Sequence, residues 1–289
     1  MILLSLSGPL YAQAKVEVQF AQVGEVKLAY YTRGQGEPII LIAGYSQTMG
    51  MWDPGLLDEL SKNNKLIIFD NRGIGLSTDS MENKTTIAQM ADDAAGLVRA
   101  LGYKKVNILG WSMGARIAQQ FLIRHHDLVI KGILCSPNPG GKFQIKASKK
   151  VTDELNNPNL SLMENVALLF PQNEAGKQAA KDALARLNAA KLAGTIPLDF
   201  NISKETKMRQ DRARTVLWDS DNQNYVDLRN IKVPVLVAGG RFDIIDAPKN
   251  AQIIANQIPY SWLTYFDGGH AFLFQQRQKF SETVRAFLN

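Results

Sequence analysis

Val106-Asn107-Ile108-Leu109-Gly110-Trp111-Ser112-Met113-Gly114 is the stretch around which this chain is organised. Its first four residues form a short apolar run typical of a buried strand, and a helical pattern begins directly at the serine. Ser112 is therefore predicted to lie in a sharp strand-to-helix turn, where the flanking glycines leave room for the bend. The dipole and free N–H groups of the helix N-terminus would point at this serine, so Ser112 is a candidate nucleophile.

Apolar runs of strand length recur on both sides of this turn and alternate with helical patterns. Such alternation is typical of β-α-β units, whose right-handed crossovers place helices on both faces of a parallel sheet. The sequence therefore predicts an α/β fold with a mostly parallel central sheet. A hairpin from Val26–Arg33 through Gly34-Gln35-Gly36 into Pro38–Ile42 is expected to lead into this sheet. The other predicted strands are Leu66–Phe69, Val106–Leu109, Val129–Cys135, Val233–Ala238 and Ser261–Phe266, and the predicted helices are Gly55–Lys62, Thr86–Leu101, Ser112–Arg124, Pro248–Gln257 and Phe272–Leu288.

The alternation stops between Gly140 and Ser220, where the chain shows helical patterns and no convincing strand. The helical patterns include 174–192 and 204–218, and prolines separate the segments. A helical stretch inside an alternating pattern predicts a cap inserted in the sheet domain. We expect residues 15–139 and 221–289 to form the α/β core and residues 140–220 to form a helical cap.

The composition is that of an ordinary folded chain of 289 residues, of which 45% are apolar and 21% are charged. The formal net charge is +6, but Lys and Arg are spread along the chain without a basic stripe, so no nucleic-acid partner is expected. Cys135 is the single cysteine, which excludes an intramolecular disulfide. No group of metal-ligating residues has credible spacing, and we expect neither a metal nor a cofactor.

The first fourteen residues carry an incomplete targeting signal. An apolar run, Ile2-Leu3-Leu4-Ser5-Leu6, precedes Ala12-Gln13-Ala14, the small-x-small pattern that a signal peptidase cleaves. Because the basic residues of a signal peptide are missing, two interpretations stay open: a cleaved signal peptide on a secreted or periplasmic protein, or the ordinary N-terminus of a cytoplasmic one. No segment has the roughly 20 apolar residues needed to cross a bilayer, and no integral membrane segment is expected.

Two later segments follow predicted strands and carry residues that could complete a site with Ser112. Gly239-Gly240-Arg241-Phe242-Asp243-Ile244-Ile245-Asp246 follows one strand, and Asp267-Gly268-Gly269-His270-Ala271 follows the next. Together with the turn at Ser112, these segments resemble the α/β-hydrolase family over nearly the whole chain outside the cap. That family uses a serine, an acid and a histidine in this chain order. The resemblance implies Ser112 as nucleophile, His270 as general base and Asp243 as the acid that orients it, with Asp246 as the second candidate acid.

The resemblance also implies an oxyanion hole made of two backbone N–H groups, those of Met113 and Tyr45. Ala43-Gly44-Tyr45 stands where the family normally has a His-Gly pair, so a methyl group replaces the histidine side chain. Because the donor is a backbone group, this replacement is compatible with activity, but it bears on the geometry of the loop. Asp70-Asn71-Arg72-Gly73-Ile74-Gly75-Leu76-Ser77 is similar to the family's D-x-R-G-x-G-x-S segment, and we interpret it as architectural, with Arg72 joining loops through hydrogen bonds.

The remaining polar candidates receive structural interpretations. His125 and His126 fall at the C-terminal end of the helix that follows Ser112, where polar side chains meet the helix dipole. Asp92-Asp93 lies within a predicted helix and is interpreted as a solvated face. Cys135 ends a buried strand, where a small apolar side chain is expected.

The resemblance implies a carboxylesterase-like serine hydrolase that acts on a carboxylic ester or related acyl substrate through an acyl-enzyme. The expected partner is a small molecule bound beneath the cap. Apolar residues of the predicted cap, which include Leu168, Leu169, Phe170 and Trp218, favour an acyl or small aromatic ester over a sugar or a phosphate.

Other activities of the same fold stay open as alternatives. Lactonases, carbon–carbon bond hydrolases, proline iminopeptidases and cofactor-free haloperoxidases are similar in the same motifs. A serine at position 112 argues against the branches that need a carboxylate nucleophile, such as the epoxide hydrolases. Outside enzymes, a ligand-binding receptor or scaffold with weak turnover would keep the same fold. The physiological substrate, its acyl chain length and the oligomeric state are left open by the sequence.

Overall fold

The computed structural model describes residues 16–80, 85–157, 159–199 and 201–289. Within these residues eight strands form one sheet: β1 Gln19–Val23, β2 Val26–Arg33, β3 Glu37–Ile42, β4 Asn64–Phe69, β5 Val106–Trp111, β6 Val129–Cys135, β7 Val235–Gly240 and β8 Ser261–Phe266. Their order across the sheet is β1-β2-β4-β3-β5-β6-β7-β8. Two pairs, β1 with β2 and β2 with β4, are antiparallel, whereas the other pairs are parallel. The predicted fold class is therefore confirmed.

Helices cover both faces of this sheet because alternate strand residues point to opposite sides. On β3, Ile40 and Ile42 pack into one core cluster, whereas Ile39 and Leu41 pack into the other. The first cluster lies beneath α2 Ile87–Ala100, α3 Met113–Arg124 and α10 Pro248–Gln257, and the second beneath α1 Pro54–Ser61, α11 Phe272–Gln275 and α12 Arg277–Leu288.

The predicted hairpin between β2 and β3 was wrong. β2 pairs with β1 and β4, whereas β3 lies between β4 and β5. The physical reason is that Ile39 to Ile42 is an uninterrupted apolar run with every side chain buried. Such a run is most stable at the centre of a sheet, with helices on both faces and a parallel neighbour on each side.

The described residues between β6 and β7 form helices and contain no strand. This agrees with the helical stretch predicted over 140–220, although the division into core and cap stays a prediction. Pro158, one of the separating prolines, lies outside the described residues. The helices are α4 Lys149–Leu155, α5 Leu162–Ala167, α6 Glu174–Ala193, α7 Lys204–Arg212, α8 Trp218–Ser220 and α9 Asn222–Asp227, with a π-helix at Ala213–Leu217 between α7 and α8.

The helix predicted over Phe272–Leu288 is divided in two in the structure. Gln276 leaves helical geometry, with φ −105° and ψ 33°, and its side-chain amide donates to the carbonyl of Asp267 at 2.9 Å. On either side of this break, α11 packs against α6 and α1, and α12 packs against α1.

The interpretation of Asp92-Asp93 as a solvated face was wrong for Asp93. Its side chain is buried and accepts hydrogen bonds from Arg72 Nε at 2.5 Å and Nη2 at 2.6 Å. These bonds join the loop after β4 to helix α2, as the architectural interpretation expects, and within that loop Arg72 also contacts Ser80. Asp92 does lie at the surface, where it pairs with Arg124 and His125.

The proposed signal peptide, residues 1–14, lies outside the described residues. Within the part of the chain that the structure describes, no helix combines the length and the apolar character needed to cross a membrane.

Candidate active site

Ser112 lies in a strained turn between β5 and α3. Its φ is +58° and its ψ is −121°, a conformation that non-glycine residues rarely adopt. The turn is held by the Ser112 N–H, which donates to the carbonyl of Cys135 at 3.0 Å. A methyl group at Gly114 would collide with the carbonyl of Ile42, and one at Gly110 would collide with the carbonyl of Gly114. Close backbone contacts therefore require both glycines of the motif.

A continuous hydrogen-bonded chain joins Ser112, His270 and Asp243. Ser112 Oγ lies 2.8 Å from His270 Nε2, and His270 Nδ1 lies 2.9 Å from Asp243 Oδ2. A carboxylate only accepts hydrogen bonds, so Nδ1 carries the proton and Nε2 is free to accept from the serine hydroxyl. The three residues come from the ends of β5, β7 and β8, whose parallel arrangement brings their carboxyl ends to one edge of the sheet.

The surrounding structure holds the histidine and the carboxylate in place. Asp243 Oδ1 accepts from the N–H groups of Ile245 and Asp246, both at 2.9 Å. The carbonyl of His270 accepts from Trp111 Nε1 at 2.8 Å and from Ser136 Oγ at 3.0 Å. Since these partners fix both groups, little rearrangement is needed for a proton to move from Ser112 to His270.

Asp246, the second candidate acid, contacts other groups. Its carboxylate pairs with Arg116 at 3.2 Å and accepts from Asn138 Nδ2 at 2.9 Å. The structure thus brings Asp243, and not Asp246, into hydrogen-bonding contact with His270.

Burial and charge act in opposite directions on His270. Burial of the ring lowers its pKa, but the charge and hydrogen bond of Asp243, aided by the charge of Asp246, outweigh burial and leave the pKa above the usual 6.5. The buried pair therefore stabilises the imidazolium form, which is the form His270 would take after accepting a proton.

The loop from Ala43 to Gln47 lies against Ser112. A methyl group at Gly44 would stand 3.5 Å from Ser112 Cβ, and Tyr45 and Met113 line the same cavity as the serine. Met113 is the first residue of α3, so its N–H has no acceptor within the helix. Within the described residues, the N–H of Tyr45 likewise has no backbone or side-chain acceptor.

Ser112 and His270 open into a cavity of about 470 Å³. The segment between β6 and β7 supplies most of its apolar wall, including Leu169 and Phe170, which follow α5 and belong to the predicted cap residues. The two other apolar residues named for the predicted cap do not line the cavity. Leu168 is buried elsewhere, and Trp218 Nε1 donates to Asn138 Oδ1 at 3.2 Å. The apolar wall consists of Leu155, Leu162, Val166, Leu169, Phe170, Ala183, Leu184 and Leu187 together with Met51, Met113, Trp111, Ile245 and Phe274.

Sequence reasoning missed several polar residues around the site. Arg116 and Arg214 line the cavity, and Gln47 and Gln210 hold the loop beside it. The sequence could have indicated Arg116, because a residue four positions after Ser112 lies on the same face of the helix that begins there. Gln210 had none, since it lies in a charged helical segment far along the chain.

The remaining sequence candidates lie away from this chemistry. His125 pairs with Asp92 near the surface, and burial raises the pKa of the Cys135 thiol well above its usual value, which keeps it neutral. Within the described residues, no cluster of three or more His, Cys, Asp and Glu side chains is arranged to hold a metal ion.

Residues 37–276 match the family model described as alpha/beta hydrolase fold. Over 265 residues the chain is 27% identical to a Mycobacterium tuberculosis protein named "Putative non-heme bromoperoxidase BpoC", with 91% of this chain and 97% of that protein covered. It is also 27% identical over 261 residues to a 2-hydroxymuconate semialdehyde hydrolase of Pseudomonas putida, with 89% of each covered. An alpha/beta hydrolase fold protein from Chitinophaga pinensis has a similar solved structure, with TM-score 0.84, 26% identity, and 96% of this chain and 98% of that chain covered.

A mostly parallel sheet with a serine in a strained strand-to-helix turn, hydrogen-bonded to a histidine from a later loop, defines the class of α/β-hydrolase folds. The family match spans most of the sequence, and the chain belongs to the alpha/beta hydrolase fold family.

Proposed function

We propose that this protein is a serine hydrolase that acts on a carboxylic ester or a related acyl substrate. The observation that carries the proposal is the hydrogen-bonded chain from Ser112 through His270 to Asp243, open to a largely apolar cavity. A serine hydroxyl is too weakly acidic to attack a carbonyl unaided, so a base within hydrogen-bonding distance is the feature that this chemistry requires.

In the proposed reaction, Ser112 Oγ attacks the carbonyl carbon of the ester while His270 Nε2 accepts the serine proton. Asp243 stabilises the imidazolium that forms. The negative charge that develops on the carbonyl oxygen is stabilised by two backbone N–H groups. One belongs to Tyr45 in the loop after β3, and the other to Met113 at the N-terminus of α3. His270 then protonates the departing alcohol, which leaves an acyl-enzyme on Ser112.

Hydrolysis of the acyl-enzyme repeats the same steps with water. His270 removes a proton from the water as its oxygen attacks the acyl carbon, and the serine recovers that proton as the acid departs. Ester and water are thereby converted to acid and alcohol, with no other reactant.

The apolar wall of the cavity supports an acyl or small aromatic substrate. We propose that residues 140–220 form a cap that supplies most of this wall. Two relatives that are each 27% identical to this chain are named as a bromoperoxidase and as a 2-hydroxymuconate semialdehyde hydrolase. Relatives at this sequence identity are therefore named for different activities. Haloperoxidase, lactone, carbon–carbon bond and iminopeptidase chemistry therefore belong in any substrate panel, as does a receptor without turnover.

The proposal is tested with a fluorophosphonate probe and short p-nitrophenyl esters. Wild type is expected to take up one probe per chain, whereas Ser112→Ala takes up none and loses turnover by about 10⁴-fold or more. Ser220→Ala, at an exposed serine in the cap region, is the matched control and keeps both activities. Wild type that neither reacts with the probe nor turns over any ester would contradict the proposal and favour the receptor alternative.

A further inference from the structure

The loop that carries Tyr45 is held on both sides by glutamine side chains. Gln47 Oε1 accepts from the N–H of Gly44 at 2.9 Å, and Gln210 Oε1 accepts from the N–H of Ser46 at 2.9 Å. The N–H of Tyr45 lies between these two fixed positions. Ala43, at the start of the loop, has no polar group with which to hold it, so the glutamines supply the contacts that orient this backbone.

The backbone of the loop needs such support. Ser46 has a φ of +54°, in the left-handed region that is unfavourable for a residue other than glycine. A loop in this conformation relaxes unless tertiary contacts hold it. The bond from Gln210 acts at Ser46 itself, one residue after the Tyr45 N–H.

Gln210 comes from helix α7, which an ion pair attaches to the loop after β4. Arg209, the neighbour of Gln210, forms this ion pair with Asp79. The π-helix that follows places the Arg214 guanidinium 4.2 Å from the centre of the Tyr45 ring. Helix α7 therefore contacts the backbone of the loop at Ser46, and the π-helix contacts the aromatic side chain of Tyr45.

The burial of Gln210 indicates a role other than stability. The residue has no exposed surface, and its Nε2 has no hydrogen-bond partner among the described residues. A buried amide with an unsatisfied donor is less favourable than an apolar side chain of similar size. The single interaction that an apolar side chain would not supply is the bond to the Ser46 N–H.

We propose that Gln210 is a positioning residue that sets the Tyr45 N–H for the oxyanion, so that helix α7 of the cap is part of the catalytic machinery. The inference rests on the proposed function, because it takes Tyr45 N–H as an oxyanion donor. It makes the catalytic geometry depend on the docked position of the cap, since a cap that lifts away withdraws Gln210 from Ser46.

Three substitutions test this role, with kcat, KM and the inhibition constant of an alkyl boronic acid as readouts. Gln210→Met removes the acceptor at nearly constant size, and Gln210→Asn keeps the amide but withdraws its oxygen from Ser46. Both are expected to lower kcat by about 10- to 100-fold, less than the loss of a complete oxyanion donor, with KM changed less than about threefold. The boronic acid, which forms a tetrahedral adduct with Ser112, is expected to lose affinity in parallel, whereas the carboxylate product of the ester binds as before.

Gln210→Glu retains an oxygen acceptor for the Ser46 N–H, and because burial favours the neutral form of a carboxyl group, this variant is expected to keep most of the wild-type kcat. Gln178→Met, at an exposed glutamine of α6, is the matched control and keeps all constants. Thermal melting establishes which variants are folded, and Gln210→Asn covers the case in which the methionine variant is not. An active wild type whose folded Gln210→Met or Gln210→Asn variant keeps its kcat and boronate affinity would overturn the inference alone. A wild type without turnover or labelling would overturn the proposed function and this inference together.

Discussion

At the scale of single residues, the site depends on local conformations that the rest of the chain must maintain. Ser46, Ser112 and Ser136 have positive φ values although none is a glycine. All three lie in loops that follow strands of the sheet at the edge where His270 is placed. Strain of this kind persists only where surrounding contacts hold it, and here the contacts are the hydrogen bonds of Cys135, Ala238 and Gln210.

The raised pKa of His270 predicts the pH dependence of turnover. The proposed base must be neutral to accept a proton, so kcat/KM is expected to rise with pH and to reach half its maximum above pH 6.5. Asp243→Asn removes the charge that raises this pKa, so it is expected to shift the midpoint to lower pH and to reduce kcat by about 10³- to 10⁴-fold. The measurement is a pH profile of p-nitrophenyl ester hydrolysis.

Asp267→Asn is the control for this profile, because Asp267 lies at the surface and pairs with Arg241. It is expected to leave the midpoint unchanged. A wild-type midpoint below 6.5, or one that Asp243→Asn does not move, would show that another group limits the reaction.

At the scale of helices and strands, the Arg72–Asp93 pair joins the loop after β4 to α2. Both side chains are buried, and the bond lengths are 2.5 and 2.6 Å. Burying two charges is unfavourable unless they are paired, so removal of one partner leaves an uncompensated charge in the interior. Loss of this pair is therefore expected to lower the free energy of unfolding far more than loss of an ion pair at the protein surface.

The neighbouring carboxylates of Asp92 and Asp93 allow the effect of a buried pair on the free energy of unfolding to be compared with that of a partly exposed pair. Asp93→Ala is expected to reduce the free energy of unfolding by about 3–5 kcal/mol, because it leaves Arg72 without its main partner. Asp92→Ala, one residue away, removes a partly exposed pair and is expected to reduce it by less than about 1 kcal/mol. Urea unfolding followed by circular dichroism gives both values, and equal losses would contradict the assignment of Asp93 to a buried pair.

The strands and helices also show where the local sequence pattern predicts the structure and where it does not. The bounds of β6, α10 and β8 coincide with the predictions, because short runs rich in apolar and aromatic residues mark the two strands and an N-terminal proline marks the helix. The partner of β3 and the break at Gln276 were not predicted. Both depend on neighbours far along the chain, and a single apolar run looks the same beside either partner.

At the scale of the whole molecule, the proposed cap supplies part of the cavity wall, including residues of helix α6. Leu187 lines the cavity from α6, whereas Leu192 on the same helix is 90% exposed. The two positions allow a change in cavity shape to be separated from a change in the helix itself.

Leu187→Trp is expected to shorten the preferred acyl chain, because the larger ring occupies space that a longer chain would fill. The ratio of kcat/KM for p-nitrophenyl octanoate to that for the acetate is expected to fall by about tenfold, within the range set by one or two buried methylenes. Leu192→Trp is expected to leave the ratio unchanged. If both variants, or neither, change it, the acyl group does not bind along α6.

The sequence by itself determined the α/β class and predicted the strand-to-helix turn at Ser112, because strand and helix periods and the glycines of a tight turn are local features. The order of serine, acid and histidine along the chain came from the resemblance to the α/β-hydrolase family. The tertiary structure alone decided that Asp246 pairs with Arg116, and that Gln210 binds a loop 164 positions away. No local pattern records such contacts, because they depend on how the loops and the helical insertion pack over the edge of the sheet.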